Sequence, residues 1–321
     1  MFCCKKNMEK IECFKIALLQ SNENEINKLD FSNSSIVYSI ECARVEKAHA
    51  TYILADPFLL ALGDSIFMFY EHKELFKPGV IKMISSTNLK DWSIPITVLE
   101  EKVHLSFPNT FLYNGAVYMI PETSSMGEIR LYKAKDCSLT CFQFVKTLLK
   151  EEITGDTVFS FSDTDIRYIG GKYFLFTTVN NGKGNELHLY YSDDFFGDYV
   201  EHPKSPICID QRYARNGGAI MEMDGQLYRI AQDCSQGYGD NINILKILDI
   251  SVEDYKEELV KNNVFPRSGF YKYGGHQFNC VKYLDGSFLI ATDAKEYHYF
   301  FLRRLIHKFR TITNRLSIRK E

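Results

Sequence analysis

"ADPFLLALGDSIFMFYE", Ala55 to Glu71, decides the fold. Two apolar runs flank a Gly63-Asp64 turn, the pattern of a tight β-hairpin. Its two ends carry acids, Asp56 and Glu71, and closing the hairpin brings those ends together. A buried carboxylate needs a partner or a solvated cavity. A hairpin this apolar, with an acid at each end of its open side, therefore implies a polar mouth.

The pattern recurs. "FPNTFLYNGAVYMIPE" surrounds Gly115, "DTDIRYIGGKYFLFTT" Gly171, "NGGAIMEMDGQLYRIAQD" Gly225 and "HQFNCVKYLDGSFLIATD" Gly286. In every copy an alternating strand meets a glycine turn and an aromatic-rich strand follows. The turn glycines lie about 50 to 60 residues apart, the spacing of propeller blades. Outer strands follow several hairpins: "GVIKMISSTNLKDW", "GEIRLYKAKD", "NELHLYYSDD" and "NINILKILDI". Four strands per repeat and five repeats predict an all-β fold, a five-bladed β-propeller with a short C-terminal amphipathic helix. A β-sandwich would have no need of the same turn five times. The division expected is 1–48, an N-terminal strand segment closing the last blade through "ECFKIALLQ" and "SSIVYSIE"; 49–299, the propeller; and 300–321, a basic tail.

Composition agrees. The 321 residues are 45% hydrophobic, enough for one large core, and 24 Phe and 20 Tyr favour strand over helix. A net charge of −3 argues against nucleic acid as a partner. The N-terminus, with its scattered charges, lacks a signal-peptide pattern, and no apolar run is long enough to span a bilayer. Nine irregularly placed cysteines, without zinc spacing, read as reduced thiols of a cytoplasmic protein.

In a propeller the innermost strands begin at one face, and their first residues converge there. Those residues are Asp56, Ser106 with Asn109, Asp163 with Asp165, Arg215 with Asn216, and His276 with Gln277. The partner strands end at the same face with Glu71, Glu122, Gln232 with Asp233, and Asp293. Several carboxylates facing one pocket can divide acid and base roles in glycosidic chemistry. Arg215 and His276 would hold an anionic sugar or a phosphate. The acids could hold Ca²⁺, but no ligand spacing is diagnostic, so no metal ligand or cofactor is assigned.

"ADPF" and the third-blade acid resemble the propeller superfamily of furanose-active enzymes: β-fructosidases, levansucrases, and arabinofuranosidases or xylosidases. "HLSFPNTFLYNGAVYMIPETS", "YFLFTT", "GDYVEHPKSPI", "ARNGGAIMEMDGQLYRIAQDCSQGYGDNI" and "GGHQFN" are more similar to a propeller domain at the N-terminus of glucosamine inositolphosphorylceramide transferases and in bacterial surface-polysaccharide proteins. That resemblance covers roughly residues 50 to 290. It implies Asp56 as nucleophile or general base and Asp163 as the third-blade acid, here in "DTD". Glu122 is the candidate general acid, at a blade position different from that of the furanosidase acid. Asp56, Glu122 and Asp163 are thus the expected catalytic set; Glu71, Asn109, Asp165, Arg215, Gln232, Asp233 and His276 are expected to bind or orient substrate.

In the tail, Phe301, Leu305, Phe309, Ile312 and Leu316 recur at helical spacing among seven Arg and Lys residues. Such a helix either lies on an anionic membrane or packs on the propeller flank. The function expected is a cytoplasmic glycosyltransferase of bacterial surface-polysaccharide assembly, at the inner face of the membrane. It would move a furanose such as fructose from a nucleotide sugar donor to a glycan acceptor. The alternatives are a glycoside hydrolase of the β-fructosidase or arabinofuranosidase type and a non-catalytic glycan-binding propeller.

Overall fold

A computed structural model describes residues 9–41, 51–150 and 160–300. Of the tail expected to form a helix, 300–321, residues 301–321 lie outside these, and Phe300 ends a strand. The described residues form strands joined by turns and four short 3₁₀ segments. Two strands come first, β1 (Glu9–Ser21) and β2 (Ile36–Ile40). Next are β3 (Thr51–Leu62), β4 (Ser65–Glu74), β5 (Val80–Ser86) and β6 (Ile96–Leu99). The second group is β7 (Ser106–Tyr113), β8 (Ala116–Glu122), β9 (Glu128–Ala134) and β10 (Phe142–Lys150). The third is β11 (Ser160–Ile169), β12 (Lys172–Asn180), β13 (Asn185–Ser192) and β14 (Val200–Glu201). Then come β15 (Arg215–Asn216), β16 (Met221–Met223), β17 (Gln226–Asp233), β18 (Asn241–Ile250) and β19 (Tyr255–Lys261), and finally β20 (Phe278–Lys282) and β21 (Phe288–Phe300).

The groups β7 to β10 and β11 to β14 are separate four-stranded sheets, and β15 to β19 form a five-stranded one. β20, β21, β1 and β2 continue into β3 to β6 as an eight-stranded sheet, but a single residue pair, Phe14 with Ile53, bridges β1 to β3. By contrast β1 pairs with β21 antiparallel along all 13 of its residues.

Neighbouring sheets bury apolar faces on one another in turn, which is why both faces of the inner hairpins are hydrophobic. Leu60, Phe69 and Ile81 pack on Met119 and Tyr132; Ile120 and Leu131 on Leu175 and Phe195; Phe174 and Phe176 on Ile220 and Ile247. Ile230 and Ile244 meet Phe278 and Ile290. Leu18 and Leu289 return to Leu59 and Met68. At the centre Phe58 stacks edge-on against Phe107, 4.8 Å between ring centroids, beside Ala219.

Three inner strands share one irregularity. The register slips between Ala55 and Phe58, between Ser106 and Asn109, and between Ser162 and Asp165. Within each slip one residue has positive φ: Asp56 at 51°, Phe107 at 43° and Asp163 at 52°. Such a β-bulge kinks the strand and re-aims a side chain. Pro57 and Pro108, which have no N–H for a ladder bond, follow two of the three.

Candidate active site

The bulges turn Asp56 and Asp163 into one cavity of about 150 Å³. Glu71, Glu122, Arg215 and His276 line it too, together with Phe14, Ile53, Ala55, His104, Ser106 and Tyr238. Glu71 is there because it pairs with Ala55, and Glu122 because it pairs with Ser106. Both acidic ends of the opening hairpin therefore face the same space.

Asp56, Glu71 and Asp163 are no more than 5% exposed, so their partners decide their charge. On one wall His276 bridges two carboxylates, with Nε2 3.2 Å from Asp56 Oδ1 and Nδ1 2.9 Å from Asp293 Oδ2. Burial opposes protonation of that imidazole, but Asp293 and then Asp56 outweigh it and hold its pKa well above the usual range. Burial alone would raise Asp56; the His276 charge and hydrogen bond, the Phe107 N–H and Arg215 overcome it and leave Asp56 below the ordinary carboxylate range. Phe107 N–H donates to Asp56 Oδ2 at 3.0 Å. Asp293 Oδ1 accepts the N–H groups of His276 and Gln277, and Oδ2 that of Asp56.

The other buried acids behave differently. Burial, reinforced by the charge of Asp56, pushes Glu71 well above the carboxylate range. Its nearest cation-capable neighbour, His104, is itself driven down to about 4 by burial and by Lys73. Asp163 is also raised by burial, with Arg215 opposing the shift. The Arg215 guanidinium lies 2.7 Å from Asp163 Oδ2 and 3.7 Å from Glu122 Oε2, and 5.1 Å from the centre of the Tyr238 ring.

Asp56, His276 and Asp293 bring potential ligand atoms within 4.8 Å of one another, the one such group among the described residues. Both imidazole nitrogens face carboxylate oxygens, however. That arrangement suits an imidazolium giving two N–H bonds better than a neutral ring giving a lone pair to a metal.

The remaining expected binding residues lie at the same strand ends but engage protein. Asn109 donates to Asp165 Oδ1 at 2.7 Å, and Asp165 Oδ2 accepts Ile220 N–H at 2.9 Å, tying β7 and β11 to the segment just before β16. Gln232 donates to Asn216 O at 2.9 Å and reaches Asp163 at 3.4 Å. Asp233 accepts the Ser235 N–H and hydroxyl. Sequence reasoning gave no role to His104, Tyr238 or Phe14, which sit on the β6–β7 loop, the β17–β18 loop and β1. His104 and Tyr238 do fall within the stretches "HLSFPN" and "QGYGD" already singled out.

Fold and site together define an all-β, propeller-type scaffold with a buried acid cavity. By fold the chain is similar to a glycoside hydrolase at TM-score 0.56 and 12% identity, covering 80% of this chain and 90% of that one. It is likewise similar to a GH32 β-fructofuranosidase from Bombyx mori at TM-score 0.52 and 13% identity, covering 74% and 54%. Residues 10–291 match the family described as glucosamine inositolphosphorylceramide transferase 1, N-terminal, and the chain belongs to that family. It is 34% identical over 252 residues to glucosamine inositolphosphorylceramide transferase 1 of Arabidopsis thaliana, covering 75% of this chain and 32% of that protein. The chain thus spans about a third of the length of the curated relatives it matches.

Proposed function

We propose that the cavity is the sugar site of a glycosyltransferase, which passes a donor sugar to a hydroxyl of a glycan acceptor. One observation carries this: Asp56 and Glu71 share a cavity yet are pushed toward opposite protonation states, the division of labour that acid–base glycosyl chemistry needs. Asp56, ionised beside His276, takes the proton of the attacking hydroxyl. Arg215 holds Asp163 and Glu122 where sugar hydroxyls can bond to them. The burial of Asp56, Glu71 and Asp163 limits access of bulk water, which favours a sugar hydroxyl over hydrolysis. At about 150 Å³ the cavity is smaller than the ~300 Å³ of the smallest drug-sized sites and suits a single sugar ring.

In its finer form this reading is of a five-bladed propeller, the single-pair bridge between β1 and β3 separating the last blade from the first. The sugar is a furanose such as fructose, added to a surface polysaccharide on the cytoplasmic side of a bacterial membrane, with the basic tail touching the bilayer. The relatives' name supports transfer as the reaction class.

The test is to incubate the protein with sugar donors, nucleotide-linked and glycosidic, in the presence of glycan acceptors. Asp56→Asn should lower turnover by about 10²- to 10⁴-fold while moving the thermal midpoint by only a few degrees. Full activity in that variant would sink the assignment. Release of free sugar with no transfer to the acceptor would mean hydrolysis.

A further inference from the structure

We infer that Glu71 is the proton donor of this cavity and that His104 is its positioning residue. The inference rests on the glycosyl-transfer reading and deepens it. Four carboxylates line the cavity, and three of them are met by donors. Asp56 faces Phe107 N–H and His276, Glu122 the Ser124 hydroxyl at 3.0 Å, and Asp163 the Gln232 side-chain amide at 3.4 Å, with the Arg215 guanidinium alongside as counter-charge. Glu71 differs: its Oε1 is buried with no hydrogen-bond partner among the described residues. A carboxyl so placed holds its proton and becomes a donor into the space it faces.

The neighbour that could have supplied a charge is built not to. His104 Nδ1 accepts Gly79 N–H at 2.9 Å and lies 3.5 Å from Lys73 Nζ. With Nδ1 used as an acceptor, a neutral ring carries its proton on Nε2, which stands 3.3 Å from Glu71 Oε1 but is not aligned for a hydrogen bond to it. The ring therefore stands against the Glu71 carboxyl and positions it by contact, without supplying a charge. Gly79 makes this contact possible, since a Cβ there would stand 2.6 Å from His104 Cε1 and from Leu105 O.

In the step this serves, the bond from the anomeric carbon to the leaving oxygen breaks, and that oxygen takes the Glu71 proton to depart as an alcohol. The acceptor oxygen bonds to the same carbon and gives its proton to Asp56. One C–O bond replaces another, and solvent returns the proton from Asp56 to Glu71 after product leaves. A diphosphate departs without such a proton, so the donor class this selects is a glycoside with a hydroxyl-derived leaving group.

The test compares an alkyl glycoside with a glycosyl fluoride of the same sugar. Glu71→Gln should lose about 10²-fold or more on the glycoside and stay within tenfold on the fluoride, whereas Asp56→Asn should lose both. Equal losses in Glu71→Gln overturn the role. Independently of turnover, infrared difference spectra of wild type against Glu71→Gln at neutral pH should show a protonated-carboxyl band, and its absence overturns the inference. A band in a protein that turns over neither donor supports Glu71 as proton carrier and overturns the glycosyl-transfer reading instead. The groups facing Glu71 are Asp56, Lys73, His276, Glu122 and His104. Titrating the band in His104→Ala should shift its midpoint, and an unchanged midpoint removes the positioning role.

Discussion

The two walls of the cavity solve the problem of a buried acid in opposite ways. On the Asp56 wall the ionisable groups meet one another: a carboxylate, an imidazolium and a second carboxylate alternate, and backbone N–H groups bond to Asp293. On the Glu71 wall the acid has a neutral histidine beside it and a buried oxygen without a donor. Both acids come from one hairpin, β3 and β4. The difference arises from what neighbouring segments bring: His276 before β20 on one side, the β6–β7 loop on the other. Charge in a buried site is set by the partner rather than by the residue type.

The Asp56 wall is the easier to break. Asp293→Ala leaves a buried imidazolium short of one counter-charge and three N–H groups without an acceptor. It should cost about 3–5 kcal/mol, read as a lowered urea midpoint at unchanged slope. A loss below 1 kcal/mol would mean that Asp293 is not what secures His276.

The Glu71 wall should respond in the other direction. Its folded-state pKa is raised, so between the unfolded and the folded values the folded protein holds a proton that the unfolded chain has lost. Stability from this group is therefore full below about 4.5 and declines as pH rises through the folded value. Glu71→Gln removes that cost and should stabilise the protein at pH 7 by on the order of 1 kcal/mol, with the gain vanishing below pH 4.5. Destabilisation at pH 7 would show that Glu71 is ionised in the fold.

The smallest effect concerns His104. Its pKa is depressed to about 4, so stability is present above the unfolded value near 6.5 and is lost as pH falls from there toward 4. The ring is partly open to solvent, which dilutes the effect. The thermal midpoint should fall less steeply between pH 6.5 and 4 in His104→Gln than in the wild type. Parallel curves would place the ring's titration elsewhere.

Much of this was legible in order. Strand period and turn chemistry are local, so the repeated hairpins around Gly63, Gly115, Gly171, Gly225 and Gly286 could be read directly. So could the acids and cations at their open ends. Which of those residues share the cavity could not be read, because a one-residue bulge reverses the face a side chain takes. Asp163 and Asp165 stand two apart in "DTD", yet one lines the cavity and the other ties β11 to the start of the next sheet through Ile220. His104, Tyr238 and Phe14 carry no periodic signal: two lie on loops, and the third reaches the site only because β1 lies along β21.

By itself the sequence determined the strands, their turns and the gathering of carboxylates at one end of the hairpins, since all three follow from short-range patterns of burial and backbone preference. Only the tertiary structure decided that Asp56 is pushed toward its charged form and Glu71 toward its protonated one. Protonation depends on distances of a few ångströms between segments far apart in the chain, with His276 supplying the counter-charge and His104 withholding one.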